Sequence, residues 1–188
     1  PLVLGFAWLS KQFTRGTRQI GTEEQIRSLV QIGHRAGHIE ADEGQMIHRI
    51  FVLNDRTAGE IATPLERVKA LGSGFTIAQA AAEVCRNEYS RYPVFGRSPD
   101  SVEGIALARV VLKMARDKSH ELLSSITKPG LIVDAQMKSD ELIAQFRKRR
   151  LELAVVQDQG KTIGIVTLDD VLGQLIDNLP DDSLVVAT

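Results

Sequence analysis

Thr162-Ile163-Gly164-Ile165-Val166-Thr167-Leu168-Asp169-Asp170 is the stretch whose reading decides the fold. Thr162 to Val166 is a β-branched run with one glycine, and from Asp169 the pattern turns helical. At the junction a hydroxyl and a carboxylate, Thr167 and Asp170, stand three residues apart. Backbone N–H groups, the helix dipole and Thr167 could all face a phosphate there, and Asp170 suits ribose hydroxyls.

Working outward, the same text recurs earlier with a period of about 60 residues, the signature of an internal repeat. In the first half we expect a strand over Val68 to Leu71, a helix over Thr76 to Arg86 and a strand over Tyr92 to Phe95. A polar turn at Gly96 to Asp100, a strand over Val102 to Leu107 and a helix over Val110 to Arg116 complete it. The second half repeats the order with Leu131 to Val133, Ser139 to Lys148, Leu153 to Val156, the turn Asp158 to Lys161, Thr162 to Val166 and Asp169 to Asp177. Val94 is aligned with Val155 and Gly104 with Gly164. The fold class is therefore α+β, two β-α-β-β-α repeats related by a pseudo-two-fold axis, because neither half alone can bury a sheet face.

Ahead of the repeat, Thr22 to Gln25 is a capping box opening a helix with Ile26, Leu29, Val30 and Ile32 at helical spacing. A second helix starts near Ala41 and carries Met46, Ile47, Ile50, Phe51 and Leu53. The expected parts are 1–20, the end of a transmembrane domain or a linker, 21–56, an acidic helical hairpin, 57–122 and 123–180, the two repeats, and 181–188, a tail. The apolar run Pro1 to Leu9 followed by Lys11, Arg15 and Arg18 fits a membrane exit on the cytoplasmic side, and equally an amphipathic helix.

Composition narrows the function classes. A formal net charge of -1 with 25% charged residues argues against a nucleic-acid surface. The single cysteine, Cys85, cannot form an internal disulfide and reads as a core residue in a reducing compartment. No nucleophile with an adjacent base, no Walker-type loop and no Cys/His cluster occurs, so the chain is not expected to be an enzyme and no metal site is expected.

Four pieces carry a resemblance: Gly37-His38-Ile39-Glu40-Ala41-Asp42-Glu43, Thr63-Pro64-Leu65-Glu66, Ser90-Arg91-Tyr92-Pro93-Val94, and Gly164 through Leu172. In order and spacing they resemble the cytoplasmic part of the CorC and cyclin-M (CNNM) transporters, magnesium and cobalt efflux proteins also called hemolysin-like, in which an acidic helical bundle precedes a tandem CBS-domain pair. The resemblance implies one adenine nucleotide, ATP with Mg2+, in a cleft built by both halves. Carried over, Thr63 touches the sugar or adenine side, Tyr89 lines the base pocket and Arg91 pairs with phosphates. Ser90, Pro93 and Val166 join the site, while Thr167 and Asp170 close it. The pseudo-symmetric cleft offers Leu107 and Val110 in place of the polar pair, with Lys128, Glu152 and Ala154 opposite, and is expected to be empty. Ala62 stands where many relatives have methionine.

The resemblance also implies a regulatory module in the cytoplasmic domain of an inner-membrane protein, acting on the transmembrane domain of the same polypeptide, with no nucleic-acid partner. A homodimer is expected, formed through the helices that carry Ile77, Val84 and Cys85 in one half and Leu142 and Phe146 in the other. The competing readings are a dimerisation module without a ligand and the nucleotide-sensing part of a soluble enzyme. Three plainer interpretations stay open beside these. Thr167 and Asp170 could be a helix cap. His34 and His38, four apart beside Glu40, Asp42 and Glu43, have the spacing of a metal site, but Gly37 interrupts that helix and solvated side chains are the plain reading, while Arg147 to Arg150 match a helix C-terminus rather than a phosphate-binding patch.

Overall fold

The computed structural model describes residues 21–176, which divide into one unit up to Phe51 and another from Val52. The expectations for 1–20, Asp177 and the tail lie outside the described residues.

The first unit is a helical hairpin. α1 (Glu23–Arg35) opens on the complete capping box of Thr22 and Gln25. It stops at Ala36 and Gly37, whose φ of 75° no ordinary side chain adopts cheaply. α2 (Ala41–Asp55) runs through the Asn54-Asp55 pair expected to form a turn. Arg27 lies 5.1 Å over the Phe51 ring, and its guanidinium contacts Glu23 and His48. His34 is engaged through Nδ1 with the Ile39 carbonyl at 2.9 Å. Among the described residues no group of three or more His, Cys, Asp or Glu side chains could hold a metal, and no helix is long and apolar enough to cross a membrane.

The second unit carries the repeat. Its elements are α3 (Ala58–Ile61), β1 (Thr63–Pro64), β2 (Leu71–Gly72), α4 (Ile77–Arg86), β3 (Arg91–Phe95), β4 (Val102–Leu107), α5 (Ala108–Asp117), β5 (Leu131–Asp134), α6 (Ser139–Arg149), β6 (Leu153–Asp158), β7 (Lys161–Thr167) and α7 (Leu168–Ile176). The α+β tandem repeat is as expected, with two departures. The strand expected over Val68 to Leu71 is reduced to Leu71–Gly72, because Leu65 to Arg67 closes a 3-10 turn and only Leu71 and Gly72 reach β3. Val94 is the counterpart of Val156, not of Val155: both face a glycine, Gly104 and Gly164, across the hairpin. The misalignment arises at the turn, since Phe95 pairs with Val102 but Gln157 with Thr162, a first loop two residues longer.

The sheets are not built half by half. β1 pairs antiparallel with β7, giving the order β1-β7-β6-β5, while the first half keeps β2-β3-β4. Reciprocally, Lys128 bridges Ile105 of β4, with N–H to carbonyl bonds of 3.0 and 2.8 Å in the two directions. The segment entering each repeat thus belongs to the other repeat's sheet. The crossings depend on glycine: a Cβ on Gly164 would fall 2.2 Å from the Thr63 carbonyl oxygen, and one on Gly104 2.1 Å from that of Lys128.

Two apolar clusters hold the unit, one centred on Leu131, Leu142, Phe146, Val156 and Val166, the other on Leu71, Val84, Tyr92, Val94 and Val111. Full burial of such side chains contributes about 1.5 to 3 kcal/mol each. These clusters correct the expectation about helix faces. Ile77, Val84, Leu142 and Phe146 are buried within the single chain and leave no surplus apolar surface, whereas Cys85, expected in the core, is exposed. The leucines that remain exposed on the closing helices are Leu112 and Leu172, at equivalent positions of α5 and α7.

Candidate functional site

The exchange of entering segments creates two clefts. The first, about 450 Å3, is walled by Thr63 of β1, Arg67 to Lys69 of the turn that follows, Glu88 to Arg91 at the start of β3, Glu152 and Leu153, and the end of β7 with α7. Its size lies within the ordinary range for small-molecule sites.

Six of the eight expected residues converge here: Thr63, Tyr89, Ser90, Arg91, Thr167 and Asp170. Pro93 and Val166 do not. Both are buried inside their strands, and Ile165 lines the cleft instead of Val166, since alternate residues of a strand point to opposite faces. Tyr89 is 55% exposed and packs edge-on against Tyr92, with ring centroids 6.1 Å apart. Tyr92 itself is buried and donates to the Asn87 carbonyl at 3.1 Å. Burial pushes its phenol above the usual tyrosine value, because the charged form would lose its hydration.

The capping reading of Thr167 and Asp170 is realised in full. Asp170 Oδ2 accepts from the Thr167 N–H at 2.8 Å, and Thr167 Oγ1 accepts from the Asp170 N–H at 3.0 Å. The Leu168 N–H donates to the Glu152 carbonyl at 3.0 Å. Three amides expected to face a phosphate are therefore engaged, and Asp169 and Asp170 add negative charge at that end. The groups in this cleft that suit a ligand's anionic part are its three cations, Arg67, Lys69 and Arg91. A carboxylate offers about four lone-pair sites, so capping leaves Asp170 capacity to accept hydroxyl donors. Arg91 is ion-paired with Glu152 across the two halves. Arg67 and Lys69 are not among the residues expected from the sequence, where Lys69 falls in the strand expected over Val68 to Leu71 and Arg67 just ahead of it, although two cations just after Thr63-Pro64 are a legible signal.

The second cleft, about 710 Å3, shares Arg91 and Glu152 with the first and contains Leu107 and Lys128 as expected. Ala154 is fully buried and Val110 does not line it.

Residues 123–177 match the CBS domain family. Over 186 residues the chain is 32% identical to a UPF0053 protein from Synechocystis, covering 97% of this chain and 54% of that relative, so the chain spans about half the length of this relative. Among solved structures, the CBS domain of the bacterial CNNM/CorC family Mg2+ transporter superposes with a TM-score of 0.79 at 29% identity, covering 86% of this chain and 100% of that one. The CBS domain of a transporter of that family in complex with ATP is 31% identical, with a TM-score of 0.69, covering 73% of this chain and 99% of that one. With the tandem repeat, its exchanged strands and a relative of this identity matched almost end to end, the chain belongs to the CNNM/CorC family, as its CBS-domain part.

Proposed function

We propose that this chain is the nucleotide-sensing regulatory module of a membrane divalent-cation transporter, one that moves magnesium or cobalt, and that it takes one ATP with Mg2+ in the first cleft. The observation that carries the reading is that one cleft brings together three cations, Arg67, Lys69 and Arg91, and the acceptor Asp170, the partners that a triphosphate and ribose hydroxyls need. A family member 31% identical is an ATP complex, which supports the same assignment.

The charge balance supports magnesium. Glu88, Glu152, Asp169 and Asp170 outnumber the three cations, so a bare triphosphate meets net repulsion that a divalent counter-ion removes. Tyr89, exposed and facing the cleft, offers its ring to the base. The module works as a homodimer on the cytoplasmic side, and nucleotide occupancy shifts its shape and, through the hairpin, biases the membrane domain. Calorimetry of the chain with ATP, AMP and S-adenosylmethionine, each with and without Mg2+, tests this. One site per chain, tightest for ATP with Mg2+, is expected, and no heat with any of them supports a dimerisation module without a ligand.

A further inference from the structure

The second cleft differs from the first in chemistry. Arg109 of α5, Lys128 of the crossing segment and Arg150 at the end of α6 line it together with Leu107, Leu112 and Pro129. Among the described residues none of these three cations has an ion-pair partner, unlike Arg91, which Glu152 holds. Glu152 is the only carboxylate lining this cleft, against the four that line the first.

Two local features strengthen the contrast. α5 begins without a side-chain cap and without an acidic residue in its first turn, whereas α7 has both. Arg150 holds φ 54° and ψ 43°, a left-handed position where glycine is favoured, so an arginine is kept there against its backbone preference.

We infer that the second cleft is a binding site for a small polyanion without a sugar, of the polyphosphate class. A ligand carrying several phosphoryl groups matches three unpaired cations that line one cleft, since each can make a charge-assisted contact. A ribose is not selected there, because Leu107 stands where the first cleft has Thr167 and the only carboxylate is already paired. Arg109, Lys128 and Arg150 do not line the first cleft, so the inference rests on none of the residues proposed to hold ATP.

The test titrates the chain with sodium tripolyphosphate at fixed ionic strength, first in magnesium-free buffer and then after addition of one equivalent of ATP with Mg2+, with Lys128→Glu and Arg150→Gly alongside. One tripolyphosphate per chain is expected, still bound in the presence of ATP and weakened about tenfold or more by either substitution. ATP affinity should stay unchanged in both variants. Arg150→Gly also relieves the left-handed strain, so it should melt no lower than the parent, which separates loss of a contact from loss of fold. No binding, binding that ATP displaces, or binding indifferent to both substitutions overturns the inference. Failure of ATP alone to bind overturns only the nucleotide reading.

Discussion

At the residue scale, the chemistry of the first cleft turns on Asp170, Arg91 and Glu152. In the proposed site, Asp170→Ala would remove the acceptor for ribose hydroxyls, and Arg91→Ala a phosphate contact. Each should cost about 1.5 to 3 kcal/mol of ATP binding, roughly ten- to a hundredfold in Kd, measurable by calorimetry. Glu152→Gln should act in the opposite sense: it releases Arg91 from its ion pair and removes a negative charge, tightening ATP a few-fold, and weaker binding would contradict the assignment. Tyr92 supplies a pH dependence. Its folded pKa is raised, so its contribution is fully present below the ordinary value of 10.0 and is lost as pH rises through the folded value. Alkaline melting should therefore fall less steeply above pH 10.0 in Tyr92→Phe than in the parent, and equal slopes would remove Tyr92 as the source.

At the element scale, the crossings at Gly104 and Gly164 fix where the clefts can be. In Gly164→Ala the new methyl meets the Thr63 carbonyl, so β1 must leave β7 or the hairpin must bend. A loss of about 2 to 4 kcal/mol in chemical denaturation is expected, together with weaker ATP binding, because Thr63 is carried away from Asp170. Most elements were legible in the sequence: the mostly apolar run Val102 to Leu107 behind the polar turn Gly96 to Asp100 and the capping residues Thr22 and Thr76 leave little freedom. What was not legible is non-local. A two-residue strand such as β1 has no periodicity to read, and its partner β7 lies about a hundred residues further along the chain. The same limit explains the site. Arg91, Thr167 and Asp170 announce themselves by type and spacing, whereas the burial of Pro93 and Val166 depends on which strand face the partner sheet covers.

At the scale of the whole molecule, the expected dimer needs a surface other than the one first assigned. Phe146 is a core residue, so Phe146→Asp should unfold the chain rather than divide a dimer. Leu112 and Leu172, 44% and 39% exposed on equivalent helices, are where association through the pseudo-two-fold face would occur. The double substitution Leu112→Asp with Leu172→Asp should halve the mass seen by light scattering at tens of micromolar without lowering the melting temperature appreciably. A monomeric parent would exclude the dimer. If nucleotide prefers one dimer shape tenfold, it contributes about 1.4 kcal/mol towards the membrane domain and no more.

The exchange of entering segments also bears on descent. A solitary repeat with this connection would leave its own sheet short of a strand and its leading arm without a partner. Its stable form would be a pair of identical chains, each lending an arm to the other. Duplication and fusion would then have turned a symmetric exchange between two molecules into an internal one. With both arms on one polypeptide the two clefts need not be alike, and Thr167 in the first answers to Leu107 in the second.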